Sequence, residues 1–375
     1  MPRRETPLAE RHREAGAKLI DFAGWSLPLQ FSSVAEETQA TRRAAALFDI
    51  SHMGLVRITG PAARAAARLL LTRDATAIPP GHSAYALLCN DCGGVLDDLF
   101  AMTESDQAVR LVVNAANHRK DVAWLRERLP SRLAVGVEDC EGRTFGLALQ
   151  GPRSEAILKA ANIAGPLPPA FGLFSPTRVA DADVLLSRTG YTGEDGFELF
   201  GAAQDGPLVW KALLQAGVDR KLVPAGLAAR DVLRQEMGYP LWGQDLDEHT
   251  TPLEAGLGWA VDWEGEFIGR AALAGSRPAR RRIGFRLQAG GVARAGAIIL
   301  LFGKPIGKVT SGTYSHNLGA AIGQGYVPAG VKAEPGDEIE IVVRGRPLAA
   351  RVAKRPMLPV NARRGWAHMH QEEKP

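Results

Sequence analysis

Two adjacent acids, Asp97 and Asp98, stand inside an otherwise apolar run, GGVLDDLFAM at 93–102. In a strand successive side chains alternate faces, so Asp97 shares a face with Val95 and Leu99, and Asp98 with Leu96 and Phe100. At most one carboxylate can therefore point into a given pocket. A carboxylate among apolar neighbours is costly to desolvate unless it meets a donor or a cation, which suits one of the pair to a ligand N–H or a developing positive charge. An edge strand whose charges face water has the same spacing, and the pattern leaves both readings open.

Three more groups of residues have chemistry-bearing spacing. The run SRTGYTGEDGFE at 187–198 puts Gly190, Gly193, Gly196, two acids and Tyr191 into a turn between strands, where backbone can approach a flat ligand. Glu198 closes it, and a carboxylate can accept two parallel N–H bonds from an aminopyrimidinone edge; a tight structural loop is the alternative. Arg230, Asp231, Arg234 and Glu236 share one predicted helix, with Arg230 and Arg234 at i, i+4, a spacing that also fits intrahelical ion pairs. Arg363 and Arg364, near the chain end, read either as a solvated tail or as a clamp over an anion.

Other signals are weaker. Cys89 and Cys92 form a single CxxC inside a predicted hairpin, with no second pair and no helix start. His52 and His82 lie in no HExxH or HxH pattern, and GxGxxG after a strand and GxxxxGK[ST] are both missing, so no metal, dinucleotide or nucleotide site is expected.

The elements that must position these residues follow from periodicity and turn chemistry. Ser33 and Glu36 have capping-box spacing, which predicts a helix ending before Phe48 and followed by a strand at 52–60. A helix over 61–71, a hairpin over 83–102 turning at Asn90–Gly93, a strand at 110–115 and a helix from His118 capped by Asn117 come next. The strand 144–149 leads into a helix over 153–161, Asp205 is placed to cap a helix ending at Gly217, and Ala225–Met237 has helical apolar spacing. The basic segment RPARRR at 277–282 reads as a solvated linker, after which alternating strands and Gly/Pro turns predict a small all-β domain.

The chain has 375 residues, which favours two or three subdomains, and its 46% hydrophobic and 23% charged content is that of a globular protein. A net charge of +4 with dispersed Lys and Arg argues against a nucleic-acid partner. No apolar stretch reaches the length of a membrane helix, the N-terminal segment lacks the core of a secretory signal, and its acids depart from a mitochondrial leader. Three cysteines, an odd count in a chain of this size, argue against a disulfide framework, and the cytosol is the expected compartment.

Read in order, GAKLIDFAGW (16–25), LFDISHMG (47–54), GGVLDDL (93–99), VVNAAN (112–117), LQGP (149–152), SRTGYTGEDGFE (187–198), AGLAARDVLRQEMGY (225–239), EFIGRAAL (266–273) and TSGT (310–313) resemble the glycine cleavage T-protein family over nearly the whole chain. The resemblance implies an α+β, three-domain, cloverleaf-like enzyme around a central folate channel. Its expected parts are a discontinuous folate-binding domain (1–52 and 141–275), an inserted ferredoxin-like domain (53–140) and a C-terminal β-barrel or jelly roll (280–375). The implied activity is aminomethyl transfer from the lipoyl arm of the H-protein to tetrahydrofolate, giving 5,10-methylenetetrahydrofolate, ammonia and dihydrolipoyl protein, with no metal.

By motif position Asp98 resembles the family's key acid, Glu198 the carboxylate that reads the pterin edge, and Arg230 and Arg364 its ligand-binding arginines. Tyr191, Tyr85, Asn114 and Met53 are expected to line the pocket. His316, Trp242 and Phe174 depart from the family pattern and bear on the channel rim. The alternatives are a folate-dependent demethylase of the same superfamily, or a non-catalytic folate-binding protein; against the latter, GluPheIleGlyArg stands at 266–270 where such relatives carry a Lys-Gly-Cys-Tyr type motif.

Overall fold

A computed structural model describes residues 3–361. Its largest open sheet has six strands in the order Phe174–Val179, Ala182–Ser187, Gly196–Ala202, Thr144–Gln150, Ala45–Asp49 and Leu222–Ala225, all antiparallel except the last pair. One face packs Leu47, Leu149 and Phe197 against the helix Gly206–Gly217; the other packs Phe48 and Ala148 against Ala229 and Leu233 of the helix Leu227–Met237. The strand Ala45–Asp49 is buried on both faces, which explains the apolar run AALF that precedes Asp49.

That strand corrects the expected helix boundary. The helix Val34–Arg43 starts at Ser33, whose Oγ accepts the Glu36 N–H at 3.2 Å, but it stops before Ala45. Alanine and leucine favour helix locally, yet here the sheet claims them because burial on two faces outweighs a propensity difference of less than about 1 kcal/mol per residue.

A second sheet, entirely antiparallel, runs Ser83–Cys89, Val95–Ser105, Ala108–Val113, Gly54–Thr59 and Gly136–Asp139. Helices Ala63–Leu70 and His118–Arg128 contribute to the core on one of its faces. In chain order this unit is β-α-β-β-β-α-β, one strand more than the split βαβ pattern of a ferredoxin-like fold. Its other face meets the segment 246–273, with Tyr85, Leu87 and Val95 packed on Leu246, Leu257 and Phe267.

The C-terminal strands close into a six-stranded barrel, Arg280–Leu287, Ala320–Pro328, Lys304–Ser315, Ile298–Leu301, Glu338–Val343 and Arg346–Ala353. This changes the reading of the basic segment, because Arg280, Arg281 and Arg282 open the first barrel strand. Arg282 is buried and donates to the carbonyls of Ala255 and Gly238 and to Gln324 Oε1, so it joins the barrel to the preceding segment.

Two predicted caps are absent. Asn117 makes no side-chain cap bond and spends its amide on Asp97 instead; Asp205 also makes none, and its helix begins through a 3-10 turn with Pro207 in the first helical turn. Among the described residues no helix is long and apolar enough to cross a membrane.

Candidate active site

The pleat of Val95–Ser105 separates the two acids. Asp97 points toward the helix His118–Arg128 and is wholly buried, where it accepts from Asn114 N (2.9 Å), Asn114 Nδ2 (2.8 Å) and Asn117 Nδ2 (2.6 Å). Asp98 points the other way and is half-buried on a cavity wall, its Oδ2 accepting the Tyr85 hydroxyl at 2.9 Å and its Oδ1 the Asn114 amide at 3.0 Å. Burial, then the negative charge of Asp97, raise the Asp98 carboxyl to about 7, against the hydrogen bonds from Tyr85 and Asn114. The strand is not an edge strand, since it lies between Ser83–Cys89 and Ala108–Val113, and Asp98 faces the cavity.

The cavity, about 500 Å³, brings together Met53, Tyr85, Asp98, Asn114, Tyr191, Glu198 and Arg230 from both sheets, a loop and a helix. Arg364 lies outside the described residues. Glu198, on the strand Gly196–Ala202, accepts from Thr189 Oγ1 at 2.6 Å, and burial raises its carboxyl against the pull of Arg230. Arg230 lies with its guanidinium 4.9 Å from the Tyr191 ring centroid, and its Nη1 is buried with no acceptor among the described residues. Burial lowers the Arg230 pKa, with Glu198 opposing. A free buried donor and a carboxylate with one hydroxyl donor face the same space, an arrangement suited to a ligand with both acceptors and N–H groups.

Arg234, the other guanidinium of the predicted pair, does different work. It is fully buried and donates to Asp245 Oδ2 (2.7 Å), Ser311 Oγ (3.1 Å) and Asp231 Oδ1 (2.8 Å), bonding the helix to a barrel strand. The loop after Ser187 is held from below: Arg188 forks onto Asp195, and Thr192 Oγ1 donates to Gln150 Oε1 at 2.8 Å. A Cβ on Gly190 would come within 2.0 Å of Gln150 Oε1, so glycine lets the loop settle on that strand.

A second cavity, about 800 Å³, shares Tyr85, Asp98, Phe100, Gly190 and Tyr191 with the first and extends toward Arg281, Arg282 and Arg355 at the barrel. Asp98 thus stands where the two spaces meet. Tyr85 stacks on Trp259 with ring centroids 5.4 Å apart.

His52, Trp242 and Arg294 also line the first cavity, and no sequence motif singled them out as ligand residues. His52 is buried, its Nδ1 has no partner among the described residues, and burial lowers its pKa to about 4, so it is neutral at physiological pH. Its position beside Met53 was the available signal. Of the three departures, Trp242 belongs to this wall, while Phe174 is a core residue and His316 packs edge-on against Tyr314. Cys89 is buried and Cys92 exposed, both free thiols. No trio of His, Cys, Asp or Glu among the described residues is grouped to hold a metal.

Residues 8–265 match the GCVT N-terminal domain family and residues 280–358 the glycine cleavage T-protein C-terminal barrel domain. The chain belongs to the glycine cleavage T-protein family. It is 43% identical to the aminomethyltransferase of Halothermothrix orenii over 95% of this chain and 100% of that protein. It is 44% identical to that of Rubrobacter xylanophilus, over 94% of each chain. The crystal structure of glycine cleavage system aminomethyltransferase T from Bartonella henselae superimposes with a TM-score of 0.89 at 35% identity, covering 96% of this chain and 99% of that one. Membership at this identity and coverage makes the chain an enzyme of the aminomethyltransferase type.

Proposed function

We propose that this enzyme transfers the one-carbon unit of an S-aminomethyldihydrolipoyl carrier protein to tetrahydrofolate, releasing ammonia and dihydrolipoyl protein and leaving 5,10-methylenetetrahydrofolate. The observation that carries the reading is the position of Asp98 between two cavities, one of which also holds Glu198 and Arg230. Two substrates that meet at one carbon need two approaches to one charged group. Family membership supports the H-protein as carrier and folate as acceptor.

In this reading Glu198 accepts N–H bonds from the pterin edge, the unpartnered Nη1 of Arg230 donates to a ligand oxygen, and Met53, Tyr191, Tyr85 and Asn114 shape the pocket. Arg364 is proposed to contribute a further cation. The carrier's methylene carbon gains positive character as its bond to sulfur breaks, and the ionised Asp98 offsets that charge. The folate amine supplies the electron pair for the new C–N bond, and ammonia leaves as the second folate nitrogen closes the ring.

Domain limits of 1–52 with 141–275, 53–140 and 280–375 belong to the same proposal, as do a cytosolic location and a central channel for folate. The test is methylenetetrahydrofolate formation from tetrahydrofolate and aminomethyl-loaded carrier, wild type beside Asp98→Asn. Product from the wild type with a loss of about a hundredfold or more in the variant supports the reading; no product from a wild type that binds tetrahydrofolate rejects the carrier reaction.

A further inference from the structure

On the hidden face of the Asp98 strand lies an acid that this mechanism does not use. Asp121 sits one helical turn after Asn117 and is wholly buried against the sheet, with no N–H or O–H donor to either oxygen among the described residues. Asn117 on the same helix face reaches Asp97 at 2.6 Å, and the Asp121 carboxyl lies against that of Asp97, close enough for a hydrogen bond between them. Two carboxylates offer only acceptors, so such a bond requires a proton on one of them. Asp97 already receives three amide hydrogens, from Asn114 N, Asn114 Nδ2 and Asn117 Nδ2, and Asp121 receives none. The donors mark Asp97 as the anion and Asp121 as the acid.

Burial raises both carboxyls, but only Asp97 has amide donors that draw it back down. Burial and then Asp97 push the Asp121 carboxyl far above the usual carboxylate range, with Asp98 acting in the same direction and Lys120 against it. Lys120 is turned away, its Nζ bonded to Leu96 O and Glu248 Oε1 and lying 4.1 Å from the Trp242 ring centroid. The Asn114 amide, anchored by Asp97, also reaches Asp98 Oδ1 at 3.0 Å and Asp98 O at 2.9 Å. Asp98 otherwise accepts from Tyr85 of the next strand and feels the charge of Asp97 on the opposite face of its own.

We propose that Asp121 is a positioning residue: it donates its carboxyl hydrogen to Asp97, holds Asp97 as the single anion that anchors Asn114, and through Asn114 fixes the carboxylate of Asp98. A half-buried acid with a free χ1 would swing between the two cavities; this chain of contacts ties it to one orientation. The proposal rests on Asp98 as the reacting carboxylate.

Asp121→Asn keeps a donor toward Asp97, whereas Asp121→Leu keeps the size and removes it. Infrared difference spectra of the substrate-free full chain at about pH 9 are expected to show a carboxylic-acid carbonyl band in the wild type that Asp121→Asn lacks. In turnover, Asp121→Leu is expected to lose kcat by about tenfold or more with the KM for tetrahydrofolate within about twofold, and Asp121→Asn to restore kcat to within about threefold. A band that persists in Asp121→Asn overturns the proposal, as does an Asn variant as impaired as Leu or a Leu variant with full kcat. If Asp121→Leu does not fold, the band and the Asn variant still decide. Because the band is read without substrate, failure of this inference is distinct from a wild type that makes no product.

Discussion

In the proposed reaction Asp98 meets two opposing demands: it must be charged to offset a developing cation, and it must be dry enough for that charge to matter. The raised carboxyl, at about 7, is the cost of the second demand. The sign of its linkage follows, since the folded state holds this proton more tightly than the unfolded chain and stability contributed by Asp98 declines as pH rises from about 4 through about 7. Asp98→Asn is therefore expected to raise Tm by roughly 2 °C at pH 8 while removing most turnover, in a thermal melt run beside the assay. With the ionised form as the active one, kcat/KM of the wild type should fall as pH drops through about 7, measured from pH 5.5 to 9. In the same proposal Glu198 serves binding rather than chemistry. Glu198→Ala should weaken tetrahydrofolate binding by about 1–3 kcal/mol in calorimetry, and unchanged affinity would remove it from the pterin edge.

Elements set the precision of these residues. The loop between Ser187 and Gly196 carries Tyr191 into the cavity and is fastened at several points: Arg42, on the helix Val34–Arg43, reaches the Thr192 carbonyl, Glu194 and Glu236, and Asn361 N donates to Gly193 O. Gly193 has φ +77°, and a Cβ there would lie 2.1 Å from Met237 Sδ, on the helix that bears Arg230. Gly193→Ala should cost about 1–3 kcal/mol in urea unfolding and raise the KM for tetrahydrofolate, because the loop and that helix must part. Unchanged stability would mean the loop has room that the contact distances deny.

At the scale of the whole molecule, the barrel is joined to the cavity by buried charge. Arg234 meets Asp245, which also accepts from Ser311 and Thr310 of the barrel; burial raises the Asp245 carboxyl, but Arg234 and Arg282 hold it below the usual range. Asp245→Ala would leave Arg234 buried without its main counter-ion, a change expected to cost about 3–5 kcal/mol in chemical denaturation. A loss below about 1 kcal/mol would show that this pairing does not hold the barrel in place.

The sequence by itself determined the hairpin that carries Asp98, the alternation that turns Asp97 from it, the helix Leu227–Met237 and the β-rich C-terminal region, because each depends on spacing within a few residues. The ordered motifs carried the family. The tertiary structure decided that Ala45–Asp49 is a two-faced strand, that Arg282 is interior and that Asn117 serves Asp97 rather than its own helix. It also decided that Arg230 keeps a free Nη1 in the cavity while Arg234, on the same wall, is committed to Asp245 and the barrel's Ser311. Each of these depends on partners distant in the chain, and burial against those partners overrides local propensity.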